Sequence, residues 1–297
     1  ALKHANYAGS SQFGGVLALA GDDHGAKSST TAHQSDHAFI HFGMPFLNPA
    51  TVQDYLDFGI LGWAMSRYAG CWVGMKCITD SVESAASVEV DQKRFKIIIP
   101  QDHKLPEENI HIQWGFMPAA SEPRLYQIRL PAAQAFARNN NIDKVIFSKK
   151  KRLAIVTTGK AYLDVRQALE ELGLSEELAQ EKGISLYKVG MVWPLEPKNI
   201  SAFIEEHEEV LVIEEKRSII EDQIAKMLFN NINRPRLVGK NDENGIPLIS
   251  SEGELSPNSV ALVIGQRLLN LGKDPSIETK ISTIVSLMDS LKSSGNS

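Results

Sequence analysis

Gly14–Asp36 reads GGVLALAGDDHGAKSSTTAHQSD. A short apolar run, Val16–Ala20, breaks abruptly into Gly21-Asp22-Asp23-His24-Gly25. The hydroxyl-rich Ser28-Ser29-Thr30-Thr31 follows, then His33, Gln34, Asp36 and His37. In an open α/β sheet, polar groups after the carboxyl end of a buried strand are where ligands bind. This strand end is therefore the candidate functional region, and the rest of the chain is read outward from it.

Downstream, Asn48-Pro49 precedes a helical spacing of Val52, Tyr55, Leu56 and Trp63, with Asn48 or Thr51 as the cap. Cys71–Ile78 reads as a second buried strand and 80–86 as a short helix. Together they make a β-loop-α-β unit of a parallel sheet. Residues 90–125 are irregular, with Phe95–Ile99 and Ile110–Trp114 as extended pieces, and Arg124–Asn139 is helical. Asn139-Asn140-Asn141 and the basic run Lys149-Lys150-Lys151-Arg152, a solvated linker, mark a domain boundary.

The second unit alternates more regularly. Strands are expected at Leu153–Thr158, Ile184–Val192 and Val210–Ile213. Helices are expected over 162–172 (ended by Gly173), Pro197–His207, Ile219–Leu228 and Pro257–Leu269, before a flexible Ser-Ser-Gly-Asn-Ser end. The fold class expected is α/β, with two doubly wound, mainly parallel-sheet units.

Bulk properties narrow the function. The 297 residues suit two domains, and 43% apolar with 23% charged residues is an ordinary globular balance. A net charge of −5 argues against nucleic acid or an anionic membrane as the main partner. No stretch reaches the roughly 18 uninterrupted apolar residues of a membrane-spanning helix. ALKHANYAGS lacks the apolar core of a signal peptide. Two cysteines, Cys71 and Cys77, are too few for an iron–sulfur cluster and for a disulfide framework. A cytoplasmic protein with reduced thiols is expected. Ala1 stands without a Met just ahead of a buried strand, the start expected of a piece of a longer polypeptide.

Several constellations carry rival chemistry. His33, His37 and His41 recur every fourth residue, and with Asp22, Asp23 and His24 they would make a metal-dependent hydrolase. The spacing matches no metal motif in full, and Gly43 and Pro45 limit the helix. Ser28 or Ser29 with His33 and Asp36 supplies the residue types of a nucleophilic triad, without a Gly-x-Ser-x-Gly elbow. Gly159-Lys160 hints at a phosphate loop whose full motif is absent. Glu214-Glu215-Lys216, at a strand end, reads as solvated charge or a contact between domains. The residue chemistry supports an α/β chain with a polar strand-end site.

Specific strings add a family. His4-Ala5-Asn6 near Gly9, the Gly14–Asp36 string, LNPATVQDYLDFGILGWAMSRYAGCWVGMKC, IVTTGKAYLDVRQALEELG and KVGMVWPLEP closely resemble indolepyruvate:ferredoxin oxidoreductases of the fused bacterial type. The similarity runs to about Leu269. These belong to the thiamine-diphosphate-dependent 2-oxoacid:ferredoxin oxidoreductases. The resemblance implies that 1–145 is the later half of a pyrimidine-binding domain and 151–235 a transketolase C-terminal-like domain. It makes 236–297 an arm leading to a diphosphate-binding domain outside this chain. It implies thiamine diphosphate, magnesium and iron–sulfur clusters in the complete enzyme. The implied partners are ferredoxin, coenzyme A and the missing diphosphate-binding and iron–sulfur regions, within a homo-oligomer. The activating glutamate, the Gly-Asp-Gly-type motif and the cluster cysteines all fall outside the chain, so it is not expected to bind these cofactors firmly or to catalyse alone. By motif position, the cofactor-facing residues would be Lys3, His4, Asn6, Asp22, Asp23, His24, Ser28, Ser29, His33 and Gln34, none catalytic and none a metal ligand. The non-enzymatic alternative is a structural or assembly module.

Overall fold

The computed structural model describes residues 1–91, 94, 96–113 and 118–294. The chain forms two compact units. One holds Ala1–Lys144, Thr158–Lys160 and Val189–Ala202, and the other Val145–Thr157, Ala161–Lys188 and Phe203–Ser297. In chain order the elements begin with α1 (Leu2–Ala8), β1 (Leu17–Asp22), α2 (Asp36–His41), β2 (Phe46–Leu47), α3 (Val52–Ala69), β3 (Val73–Ile78) and α4 (Thr79–Val82). Next come α5 (Pro118–Pro123), a π-helical segment over Arg124–Arg129, and α6 (Leu130–Asn139). After them run β4 (Lys144–Phe147), β5 (Leu153–Thr158), α7 (Gly159–Glu171), α8 (Glu176–Glu181), β6 (Ile184–Val189), β7 (Met191–Trp193) and α9 (Pro197–Ile204). The chain closes with β8 (Glu209–Ile213), α10 (Ile220–Leu228), β9 (Arg236–Val238), α11 (Pro257–Leu271) and α12 (Pro275–Ser294).

The sheet of the first unit has the order β1-β3-β2-β7, with β1 and β2 parallel to β3 and β7 antiparallel to β2. Thr51 opens α3 in a capping box: its hydroxyl accepts from Asp54 N–H while the Asp54 carboxylate accepts from Thr51 N–H. The buried face of α3 is Phe58, Leu61, Met65 and Ala69, not the expected one, and Leu56 and Trp63 are exposed. Apolar side chains surround this helix, so spacing alone does not choose a face. Within this chain β1 has one neighbour, β3, and Leu19 is 63% exposed. Residues 96–99 and 110–113 form no strand, and Phe95 and Trp114 lie outside the described residues. The helix expected from Arg124 already begins at Pro118.

Arg129, fully buried, anchors α1. Its guanidinium donates to the carbonyls of Asn6, Tyr7 and Ala8 at the end of α1, and to Ile110. Burial pushes its pKa down to about 10, which leaves it charged at neutral pH and matched to the negative end of the helix.

The second unit carries a sheet of order β4-β6-β5-β8-β9, with β8 parallel to β5 and β9. The single strand expected over Ile184–Val192 is two strands, β6 in this sheet and β7 in the other. They break at Gly190, where the N–H groups of Gly190 and Met191 donate to Asp143 Oδ1. Residues 236–294 pack onto the second unit. β9 pairs with β8, and α11 and α12 send Val260, Ile264, Leu268, Ile277 and Ile284 into the core. α12 was not foreseen; of the Ser-Ser-Gly-Asn-Ser end, 293 and 294 close this helix and 295–297 lie outside the described residues. The basic run is more than a linker: Lys150 donates to the Glu181 carbonyl and Arg152 to the Leu271 carbonyl, capping α8 and α11.

One ion pair is deeply buried here. Arg267 grips Glu209 through Nε (2.7 Å) and Nη2 (2.5 Å), and Arg236 donates to the same carboxylate. Arg267→Met leaves Glu209 without its main partner, so a loss of about 3–5 kcal/mol is expected in chemical denaturation of this unit. A loss below ~1 kcal/mol would contradict the pairing.

Glu214, at the carboxyl end of β8, accepts N–H bonds from Ile219, Ile220 and Glu221 at the start of α10. Burial nevertheless pushes its pKa up to about 7 from 4.5. The folded state therefore holds this proton more tightly than the unfolded chain, and stability falls as pH rises from 4.5 to about 7. The melting temperature is expected to fall across that window more steeply in the native protein than in Glu214→Gln. Equal slopes would contradict the shift.

Candidate functional site

The site is built around Lys76. The parallel register pairs Ala20 with Lys76 and Asp22 with Ile78, which puts Asp22 and Lys76 on one face of the sheet. Lys76 Nζ lies 2.7 Å from Asp36 Oδ2, 3.4 Å from Asp22 Oδ2 and 3.4 Å from His24 Nε2. The four side chains belong to residues only 1–4% exposed. Asp22 and Asp36 are the first and last residues of the polar loop, so one ammonium holds both of its ends. Ser35 completes the Asp22 carboxylate with its N–H (3.0 Å) and hydroxyl (2.5 Å). Burial alone would raise the Asp22 pKa, but Lys76 and Ser35 outweigh it and hold the carboxyl below its usual value. Burial alone would lower Lys76, but Asp36 and Asp22 outweigh it and raise the ammonium. Buried charges persist when paired and hydrogen-bonded in this way.

Asp23 folds the middle of the loop. Its carboxylate accepts the N–H groups of Ser28 (2.7 Å), Lys27 (2.9 Å) and Ser29 (2.9 Å), and its carbonyl accepts from His33 N–H. The Ser28 N–H above all brings the Asp23 pKa down to about 2. Lys27 reaches Asp80 at 2.6 Å, and the Thr79 hydroxyl donates to the Asp22 carbonyl. The acidic groups thus face inward. Ser28, Thr30, Thr31 and His33 are exposed, and Ser29 and Gln34 half-buried. The outward side chains of the loop are hydroxyls, an imidazole and an amide, with Lys27 turned to Asp80.

Asn6 is bound to parts of the chain other than the loop. Asn6 Nδ2 donates to the Phe42 and Gly43 carbonyls, and its Oδ1 accepts from Trp72 N–H. Asn6 is thus a structural pin, with both ends of its amide spent on backbone. Trp72 precedes β3, whereas the loop leaves the opposite end of the paired strands, roughly 16 Å away at ~3.3 Å per residue. Lys3 sits over the Tyr7 ring, and His4 is exposed.

The rival constellations do not assemble. His37 and His41 lie on α2 while His33 precedes it, and among the described residues no group of three or more His, Cys, Asp or Glu is placed to hold a metal. Of the triad residues, Asp36 is held by Lys76 and the Ser28 hydroxyl faces Asp23. α7 starts at Gly159 directly after β5, leaving no loop to wrap a phosphate. Gly159 has φ 53°, and a Cβ there would meet the Asn48 side chain at 2.4 Å. Lys76 was missed, although it is the one charged residue in the apolar run Cys71–Ile78. Asp36 was weighed only as a triad member.

The Asp23 carboxyl is expected to titrate near pH 2, below the ordinary 3.8. Its contribution to loop order is then complete above pH ~4 and lost as pH falls toward 2. A midpoint near 3.8 in a carboxyl NMR titration would show that the clamp does not persist in solution.

The chain is 25% identical over 230 residues to indolepyruvate oxidoreductase subunit IorA of Pyrococcus horikoshii, covering 74% of this chain and 33% of that protein. It is 23% identical over 215 residues to the same subunit of Methanothermobacter marburgensis, covering 71% and 32%. The chain thus spans about a third of the length of these curated relatives. The structure of 2-oxoglutarate:ferredoxin oxidoreductase from Magnetococcus marinus, with 2-oxoglutarate, coenzyme A and succinyl-CoA bound, shares the fold with a TM-score of 0.53 at 13% identity, over 90% of this chain and 55% of that one. Residues 143–291, half of the 297, match the family model described as indolepyruvate oxidoreductase domain, and the chain belongs to that family.

Proposed function

We propose that this chain is part of a thiamine-diphosphate-dependent enzyme that oxidatively decarboxylates an aryl 2-oxoacid, indolepyruvate, to an acyl-CoA and passes the electrons to ferredoxin. Residues 1–145 serve as the later half of the pyrimidine-binding domain, 151–235 as the transketolase C-terminal-like domain, and 236–297 lead towards the diphosphate-binding domain. The observation that carries the reading is the preformed loop at the carboxyl end of β1. It hides its carboxylates and presents hydroxyls, an imidazole and an amide. Such a surface fits the wall of an organic-cofactor cleft better than a diphosphate–metal cradle. Magnesium, the diphosphate contacts, the iron–sulfur clusters and the coenzyme A site are assigned to other regions of a longer, cytoplasmic, homo-oligomeric protein.

Thiamine diphosphate, when bound, would supply the nucleophile and electron sink for decarboxylation. The residues of this chain act by position. Ser28, Ser29, Thr30, Thr31, His33 and Gln34 orient the oxoacid through hydrogen bonds and help exclude water, while Asp22, Asp23, His24 and Asp36 keep the loop in shape.

The test is Ser29→Ala, His33→Ala and Gln34→Ala in the longer protein, assayed with indolepyruvate, thiamine diphosphate, magnesium, coenzyme A and ferredoxin. A hydrogen bond felt only in the transition state is worth about 1–3 kcal/mol, so kcat is expected to fall roughly 5- to 150-fold at a nearly constant melting temperature. Unchanged kinetics in all three, or losses that track unfolding, would leave the loop a packing or assembly element.

A further inference from the structure

We propose that Lys76 is a positioning residue of this site, whose ammonium closes the loop and holds His24 as the neutral imidazole protonated on Nδ1. This deepens the reading of the Asp22–Asp36 loop as a cofactor-cleft wall. Its key measurement, however, needs no turnover.

An ammonium has three N–H donors and no lone pair. Lys76 Nζ meets three acceptors, one from each segment that converges here: Asp36 at the start of α2, Asp22 at the end of β1, and His24 in the loop. The histidine nitrogen facing the ammonium at 3.4 Å must present its lone pair. The competing arrangement, a protonated Nε2 donating to Asp22, would span 4.0 Å, beyond hydrogen-bond reach. It would also set a second cation beside Lys76 in a site shielded from water. With Nε2 accepting, the ring proton resides on Nδ1, because the bond made by one ring nitrogen fixes the state of the other.

Two consequences follow for the proposed reaction. His24 is withdrawn from acid–base exchange while Lys76 is charged, and serves as a fixed N–H donor. The outward groups of the loop keep one geometry, because both loop ends are tied to β3 through the same atom. Lys76 itself is sequestered, so it acts through the loop.

The experiment is nitrogen-15 NMR of the His24 ring in the native chain between about pH 6 and pH 8, the range in which a free imidazole titrates. The expected spectrum shows Nδ1 protonated and Nε2 bare throughout. A proton on Nε2, alone or with Nδ1, overturns the proposal. Lys76→Met is expected to release the tautomer, and its retention would remove the role of the lysine. If that variant does not fold, Asp36→Asn serves, because Lys76 keeps Asp22 and His24. The Nδ1–H form should survive there, and its loss counts against the assignment. In the longer protein, folded Lys76→Met should lower kcat about 10- to 100-fold with a smaller change in KM, the scale of a displaced positioning element. Unchanged kcat would refute positioning, whereas a native protein inactive on oxoacids would refute the functional reading and leave the tautomer standing.

Discussion

The ammonium of Lys76 between Asp22 and Asp36 is the interaction on which the rest of the site depends. Two carboxylates and a lysine are taken almost wholly out of water, at a desolvation cost of several kcal/mol per ion. The cost is offset because the aspartates lie near the lysine and Ser35 supplies further donors. Since these aspartates begin and end the loop, the same pairing that satisfies the charges also sets the loop's span. Asp23 then folds the interior around its own carboxylate. What remains outward is mostly hydroxyls, with one imidazole and one amide.

Much of the fold is legible in the sequence. The short apolar runs at Val16–Ala20, Cys71–Ile78, Leu153–Thr158 and Val210–Ile213 each overlap a strand, and the Thr51 cap is where α3 begins. The errors have physical causes. α3 is apolar on several faces, so its buried side is set by what it packs against. The loop after β1 could be found from composition, but not its inner wiring: Lys76 lies 40 positions from Asp36 and meets it only through β1–β3 pairing. Asn6 had the composition of a site residue and the geometry of a structural pin. Its amide contacts involve Phe42, Gly43 and Trp72, which no local pattern reveals.

The second unit uses similar chemistry to the opposite end. At the carboxyl end of β8, where an α/β sheet commonly receives an anion, Glu214 itself accepts the first N–H groups of α10. The chain has filled that position with its own side chain. The basic run at 149–152 is likewise absorbed in part into helix C-termini. The second unit is thus satisfied internally at both features, while the loop of the first unit turns its hydroxyls outward around a buried charged cluster.

The most direct test is a structure of the longer protein with thiamine diphosphate and an aryl 2-oxoacid bound. The expected result is a closed Lys76–Asp22–Asp36 clasp, with ligand atoms in contact with Ser28, Thr30, Thr31, His33 or Gln34. Ligands lying against Lys3 and His4 of the same chain, with the loop remote from them, would contradict the assignment. An open clasp in the liganded state would contradict it equally.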